Sequence, residues 1–136
     1  MSGEARRPRP VLVVDDERDI REALQDLIGC AGYEVHTAAN GRDALGVLST
    51  IPTPGLILLD LMMPVMNGRE FIAHVQGVPS YRDIPIVVLT SAPVTLRGVM
   101  ALLRKPPDLD DLLAHVTHLC GDPARGGGPT DPGTRP

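Results

Sequence analysis

Leu56-Ile-Leu-Leu-Asp60 is four apolar residues in a row ending on a carboxylate. A short continuous apolar run suits a strand buried on both faces, the situation of a parallel sheet covered by helices. Two other runs match it, Val11-Leu-Val-Val14, which ends on Asp15-Asp16, and Ile86-Val-Val-Leu89, which ends on Thr90. Tyr33–Ala38 alternates instead, with Tyr33, Val35 and Thr37 on one side, as an edge strand does. Val99–Leu103 is the fifth run.

Helical signals separate the strands. Ile20, Ala23, Leu24, Leu27, Ile28 and Ala31 recur at helical spacing, and Gly32 closes the segment. Ala44, Leu45 and Leu48 mark a second helix, and Phe71, Ile72 and Val75 a third. Leu109, Leu112, Leu113, Val116 and Cys120 mark the last, with Asp108 placed as its N-cap and Asp111 at N3. Alternating β and α elements predict an α/β fold, a doubly wound parallel sheet with right-handed crossovers. Five strands suit the flavodoxin-like order 2-1-3-4-5. One crossover is too short. Thr90–Gly98 leaves nine residues, interrupted by Pro93, where a crossover takes at least about 10–12. The helix between strands 4 and 5 is therefore expected to be shortened or absent.

Composition bounds the function. The 136 residues suit one domain, and a net charge of −4 offers no broad basic surface for nucleic acid or anionic membrane. No apolar run approaches the roughly 20 residues of a membrane span, and a cytoplasmic protein is expected. Residues 1–9 and the Gly/Pro-rich 121–136 read as disordered extensions. The folded domain is expected to span 10–120, and no room for a second output domain is expected within these residues. Cys30 and Cys120 read as free thiols buried on helix faces. The chain holds twelve arginines and a single lysine, Lys105.

In the predicted strand order, Asp15, Asp16, Asp60, Thr90 and Lys105 all fall at C-terminal strand ends on one rim. Each has a plain explanation alone, such as a solvated helix start or a turn. Together they are hard to ascribe to chance. Crowded carboxylates raise one another's pKa unless a cation intervenes, and Mg²⁺ takes oxygen ligands of this kind. Lys105 adds a compact charge on a flexible stem, Thr90 a hydroxyl, and the backbone N–H groups after Asp60 and Thr90 further donors. These are the parts that stabilise a phosphoryl group in transfer.

The segments Val11-Leu-Val-Val-Asp-Asp-Glu17, Leu58-Leu-Asp-Leu-Met-Met-Pro64 with Asn67-Gly68, Val88-Leu-Thr-Ser91 and Lys105-Pro106 resemble the receiver domains of bacterial two-component response regulators. The resemblance covers roughly residues 9 to 120. It implies that Asp60 is the phosphoacceptor, taking a phosphoryl group from a sensor histidine kinase or a histidine phosphotransfer protein. It implies that Asp16 ligates Mg²⁺ directly, Asp15 largely through water, and Met62 through its backbone carbonyl. Thr90 becomes the switch hydroxyl, Lys105 and the Ser91 backbone N–H bind phosphate oxygens, and Pro106 carries a cis turn. No turnover of an external substrate is expected. Output is expected through protein contact, by phosphate relay or as a phosphate sink, with no DNA binding.

Two departures stand out. The strand-5 position of the family's switch aromatic holds Leu102, and the helix before that strand is too short for the usual output face. The resemblance implies that the positions two after the phosphoacceptor and two after the switch Thr influence attack by water; here they hold Met62 and Ala92, and neither side chain orients a water by hydrogen bonding. Slow self-dephosphorylation is therefore expected. Two alternatives remain. A pseudo-receiver binding module would dispense with phosphorylation, but such sites usually lose one of the residues kept here. A phosphatase of the haloacid-dehalogenase type needs a second acid where this chain has Met62.

Overall fold

The structure, a computed structural model, describes residues 8–91 and 94–123. The elements run β1 (Val11–Val14), α1 (Arg18–Cys30), β2 (Val35–Ala38), α2 (Gly41–Leu48), β3 (Leu56–Asp60), α3 (Gly68–Gln76), β4 (Ile86–Thr90), β5 (Ala101–Arg104) and α4 (Leu109–Cys120). The strands form one parallel sheet in the order β2-β1-β3-β4-β5. This is the predicted flavodoxin-like α/β fold.

The apolar runs are buried on both faces because alternate residues feed separate layers. Val11, Val13, Leu56, Leu58, Val87 and Leu89 pack against Leu24 and Ile28 of α1 and Leu112 and Val116 of α4. Leu12, Val14, Ile57, Leu59, Ile86 and Val88 pack against Ala44 and Leu48 of α2 and Phe71, Ile72 and Val75 of α3. The edge strand β2 is mostly half-buried, which explains its weaker apolar run.

Between β4 and β5 no helix forms among the described residues. From residue 94 on, the connection sends Val94, Leu96 and Val99 against the α2/α3 core. Its Gly98, at φ 80°, sits so close to Gln76 of α3 that a Cβ would collide with that side chain. The fourth helix in chain order, α4, follows β5 at full length and is capped by Asp108, whose carboxylate accepts from the Asp111 N–H. Pro93 and Ala92 lie outside the described residues, as do 1–7 and 124–136, most of both terminal extensions.

Three expectations need correction. The fifth strand is Ala101–Arg104 rather than Val99–Leu103. An edge strand tolerates the exposed Arg104, and apolar Val99 serves the preceding loop. The second strand begins at Val35, because Tyr33 is buried as an anchor whose hydroxyl donates to the Gly121 carbonyl at 2.6 Å. Cys30 is exposed, while Cys120 is buried as expected. Two residues beyond buried Ile28, Cys30 has turned roughly 200° around the helix, away from the sheet.

Candidate phosphoryl-transfer site

Asp15, Asp60 and Lys105 are brought together by strand register. Asp15 directly follows β1, Asp60 ends β3, and Lys105 directly follows β5. Each continues the alternation of its strand's α1/α4 face. The Lys105 N–H donates to the Thr90 carbonyl at 2.9 Å, which fixes the end of β5 against the end of β4. The Lys105–Pro106 peptide is cis, as the resemblance implies.

The Lys105 ammonium is held by three carboxylates. Its Nζ lies 2.9 Å from Asp15 Oδ2, 3.5 Å from Asp60 Oδ1 and 3.6 Å from Glu17 Oε1. Asp15 and Asp60 are buried, and Asp16 is exposed at the mouth. One carboxylate oxygen from each of Asp15, Asp16 and Asp60 falls within 4.8 Å of the others. Asp15 is fixed on two sides, its Oδ1 accepting from the Glu17 N–H at 2.9 Å and its carbonyl from Arg21 Nη1 at 2.7 Å.

This crowding sets the charge state of Asp60. Burial pushes its pKa up to about 6, and the neighbouring Asp15 adds to the rise. Lys105 and the Met62 N–H, which donates to Asp60 Oδ1 at 3.3 Å, oppose it without cancelling it. Burial works against the charge of Lys105, but its hydrogen bond to Asp15 and the fields of Asp15, Asp60 and Glu17 hold its pKa above the ordinary value. One cation thus serves too many carboxylates, which is the electrostatic demand a divalent ion meets.

The loop after β3 is tightly built. Asn67 and Glu70 form a reciprocal capping box that starts α3. A Cβ on Gly68 would stand 2.6 Å from the Asp60 carbonyl oxygen and 2.8 Å from Leu61 Cα, so glycine alone permits this approach. Before it, Val65 has φ 68°, and the Met66 N–H donates to the Pro64 carbonyl at 2.7 Å. That is a γ-turn of the strained, positive-φ kind, centred on a β-branched residue.

Thr90 is buried at the end of β4 and continues the opposite face, shared with Leu102. A cavity of about 230 Å³ opens beside it, lined among others by Met62, Met63, Arg69 and Val94. Leu102 pairs with Val88 and is 37% exposed, and no helix among the described residues of the β4–β5 connection covers that part of the face. Met62 is exposed, and Ser91 is exposed beside Thr90. Two contributors were not singled out from sequence, Glu17 and Arg21. The Asp-Asp-Glu run and the arginine one helical turn after Glu17 were the available signals.

Residues 11–117 match the family model of the response regulator receiver domain. Response regulator MprA of Mycolicibacterium vanbaalenii is 35% identical over 119 residues, covering 82% of this chain and 50% of that protein. A probable transcriptional regulator, ycf27, of Cyanidium caldarium is 39% identical over 97 residues, covering 71% of this chain and 37% of that one. The chain thus spans about half the length, or less, of these curated relatives. Among solved structures, the Vibrio cholerae chemotaxis protein CheY4 is similar with a TM-score of 0.75 and 34% identity, over 82% of this chain and 98% of that one. A response regulator receiver protein of Pseudomonas putida gives a TM-score of 0.75 at 30% identity, over 81% of this chain and 97% of that one. Motif set, sheet order and matched span agree, and the chain belongs to the response regulator receiver domain family.

Proposed function

We propose that this receiver domain accepts a phosphoryl group on Asp60 from a phosphohistidine donor, in a reaction that depends on Mg²⁺. The observation that carries the proposal is the position of Lys105 Nζ, within 3.5 Å of both Asp15 and Asp60 at the mouth of a three-carboxylate cluster. A half-buried lysine shared between a buried nucleophile and its buried acidic neighbour suits charge transfer better than it suits stability, since ion pairs withdrawn from water seldom stabilise a fold.

The donor set fits the metal. Mg²⁺ prefers oxygen ligands and often uses one or two carboxylates with water, and Asp60, whose pKa is raised first by burial and then by Asp15, would be stabilised as a carboxylate by added positive charge. Asp15, Asp16 and Asp60, with the Met62 backbone carbonyl, would hold it; when bound, it supplies positive charge to the oxygens of the phosphoryl group in transit.

The chain's residues do the rest. An Asp60 oxygen attacks phosphorus, the P–N bond to the donor imidazole breaks, and the departing nitrogen keeps the electron pair. Lys105 pairs with Asp60 before transfer and with a phosphoryl oxygen afterwards. Thr90 turns its hydroxyl toward another phosphoryl oxygen, using the cavity beside it, and the Ser91 backbone N–H faces the same charge. The product is an acyl phosphate on Asp60.

We assign the output to protein contact, since a net charge of −4 gives no general attraction for nucleic-acid phosphates. No helix among the described residues is long and apolar enough to cross a membrane. With Leu102 in place of an aromatic, the movement of Thr90 reaches the surface through the β4–β5 connection that follows it.

Beryllofluoride, an acyl-phosphate mimic, tests the site. With Mg²⁺ it should shift the amide resonances of Asp60, Met62, Thr90 and Lys105, and Asp60→Asn should abolish the shifts. Unperturbed spectra of the wild-type protein would favour a pseudo-receiver.

A further inference from the structure

Glu17 has no role in the transfer chemistry above, yet its side chain is committed. It is the N-cap residue of α1 and makes no side-chain cap hydrogen bond. A short Ser, Thr, Asp or Asn would cap better. Its carboxylate instead stands 3.6 Å from Lys105 Nζ. Of the three carboxylates around that ammonium, Glu17 is the one outside the proposed metal-ligand set. It is also the outermost, with a side chain 61% exposed against 2% for Asp15 and 7% for Asp60. Glu17 and Lys105 together line a cleft of about 380 Å³, walled by Ile20, Leu24, Leu89 and Pro106. Lys105 therefore has room on its outward side and a counter-charge waiting there.

We infer that Glu17 is a positioning residue that receives the Lys105 ammonium when a divalent cation enters the acidic rim. The inference rests on the reading of Asp15, Asp16 and Asp60 as Mg²⁺ ligands. In the resting site the ammonium shares the carboxylates that the cation needs. Two positive charges a few ångströms apart repel strongly where water is partly excluded. Lys105 must give way, and a lysine displaced without a partner would charge its own desolvation against cation binding. Glu17 removes that penalty. The site keeps it in place, since the Glu17 N–H donates to Asp15 and the Glu17 carbonyl accepts from the Arg21 N–H at 3.0 Å. Glu17 thus acts on the cation through Lys105.

Calorimetric Mg²⁺ titrations of the wild type, Glu17→Gln, Lys105→Met and the double variant test this. Glu17→Gln should weaken Mg²⁺ binding about threefold, the scale of a partly exposed ion pair, and should have no effect once Lys105 is Met. An equal loss in both backgrounds would mean that Glu17 acts on the ion directly, and would overturn the inference. So would an unchanged affinity in the Lys105 background. Glu17→Asp gives a second reading that does not depend on the Lys105→Met protein folding well. Its shorter carboxylate suits the N-cap but withdraws from Lys105, so thermal stability should rise while Mg²⁺ affinity falls. A parallel fall of both would mark Glu17 as merely structural and overturn the inference. A wild-type protein that binds no Mg²⁺ would overturn the underlying metal reading. Tight wild-type binding that is indifferent to Glu17 would contradict only the role assigned to Glu17.

Discussion

Lys105 Nζ stands 3.5 Å from Asp60 Oδ1, so the proposed nucleophile is paired with its charge-stabilising cation before any phosphoryl group arrives. The same ammonium is hydrogen-bonded to Asp15 at 2.9 Å. Replacing it should therefore affect both stability and transfer. Lys105→Met should slow phosphorylation by acetyl phosphate about 100-fold, the usual cost of removing one group that stabilises developing charge. It should also lower stability in chelator by about 3 kcal/mol, because two buried carboxylates lose their partner. Lys105→Arg keeps the charge but not the compact geometry, so it should restore stability more fully than rate. Equal recovery of both would contradict the role given to Lys105.

Asp60 should make the metal-free protein less stable as pH rises. Its folded pKa is about 6, above the ordinary value of 3.8. Between those values the folded state binds more protons than the unfolded state, so stability falls with rising pH across the window and levels off above it. In chelator, Asp60→Asn should stabilise the protein by roughly 1–2 kcal/mol at pH 7.5 and by little at pH 4. Denaturant melts at the two pH values measure this, and a variant effect independent of pH would count against the charge state assigned to Asp60.

Val65 carries backbone strain in the loop that leads from Asp60 to α3. Glycine adopts positive φ without that cost but loses more entropy on folding. The balance predicts that Val65→Gly stabilises the protein by roughly 0.5–1 kcal/mol. Val65 is 71% exposed, so little packing is lost. Thermal melts decide the matter, and a clear drop in melting temperature would show that the turn is not strained.

Phosphate on Asp60 should be long-lived. Met62, two residues after Asp60, is exposed, and its thioether is a poor group for directing a water at phosphorus. Met62→Asn introduces an amide there and should shorten the half-life of the phosphorylated protein in Mg²⁺ several-fold. Rapid loss of phosphate from the unaltered protein would refute this account of lifetime.

Much of the architecture was legible because β1, β3 and β4 are buried on both faces and must be continuously apolar. The lack of a helix among the described residues between β4 and β5 was legible from nine residues and a proline. The limits of β5 were not, because hydropathy cannot tell Val99, which packs from a loop, from Arg104, which pairs at an exposed edge. Cys30 misled for a related reason, since its apolar character says nothing of its angle around α1. At the site, residue types at strand ends marked Asp15, Asp60, Thr90 and Lys105, whose convergence follows from sheet order. Glu17 escaped notice because its direction depends on where β5 delivers Lys105, a tertiary fact absent from the Asp-Asp-Glu run.

The central claim is that Asp60 accepts a phosphoryl group with the help of Mg²⁺, and intact-mass spectrometry after incubation with acetyl phosphate tests it most directly. The wild-type protein should gain the mass of one phosphoryl group in Mg²⁺ and none in chelator, and Asp60→Asn should gain none in either. An unmodified wild type in Mg²⁺ and donor, or an Asp60→Asn protein that still gains the group, would contradict the account.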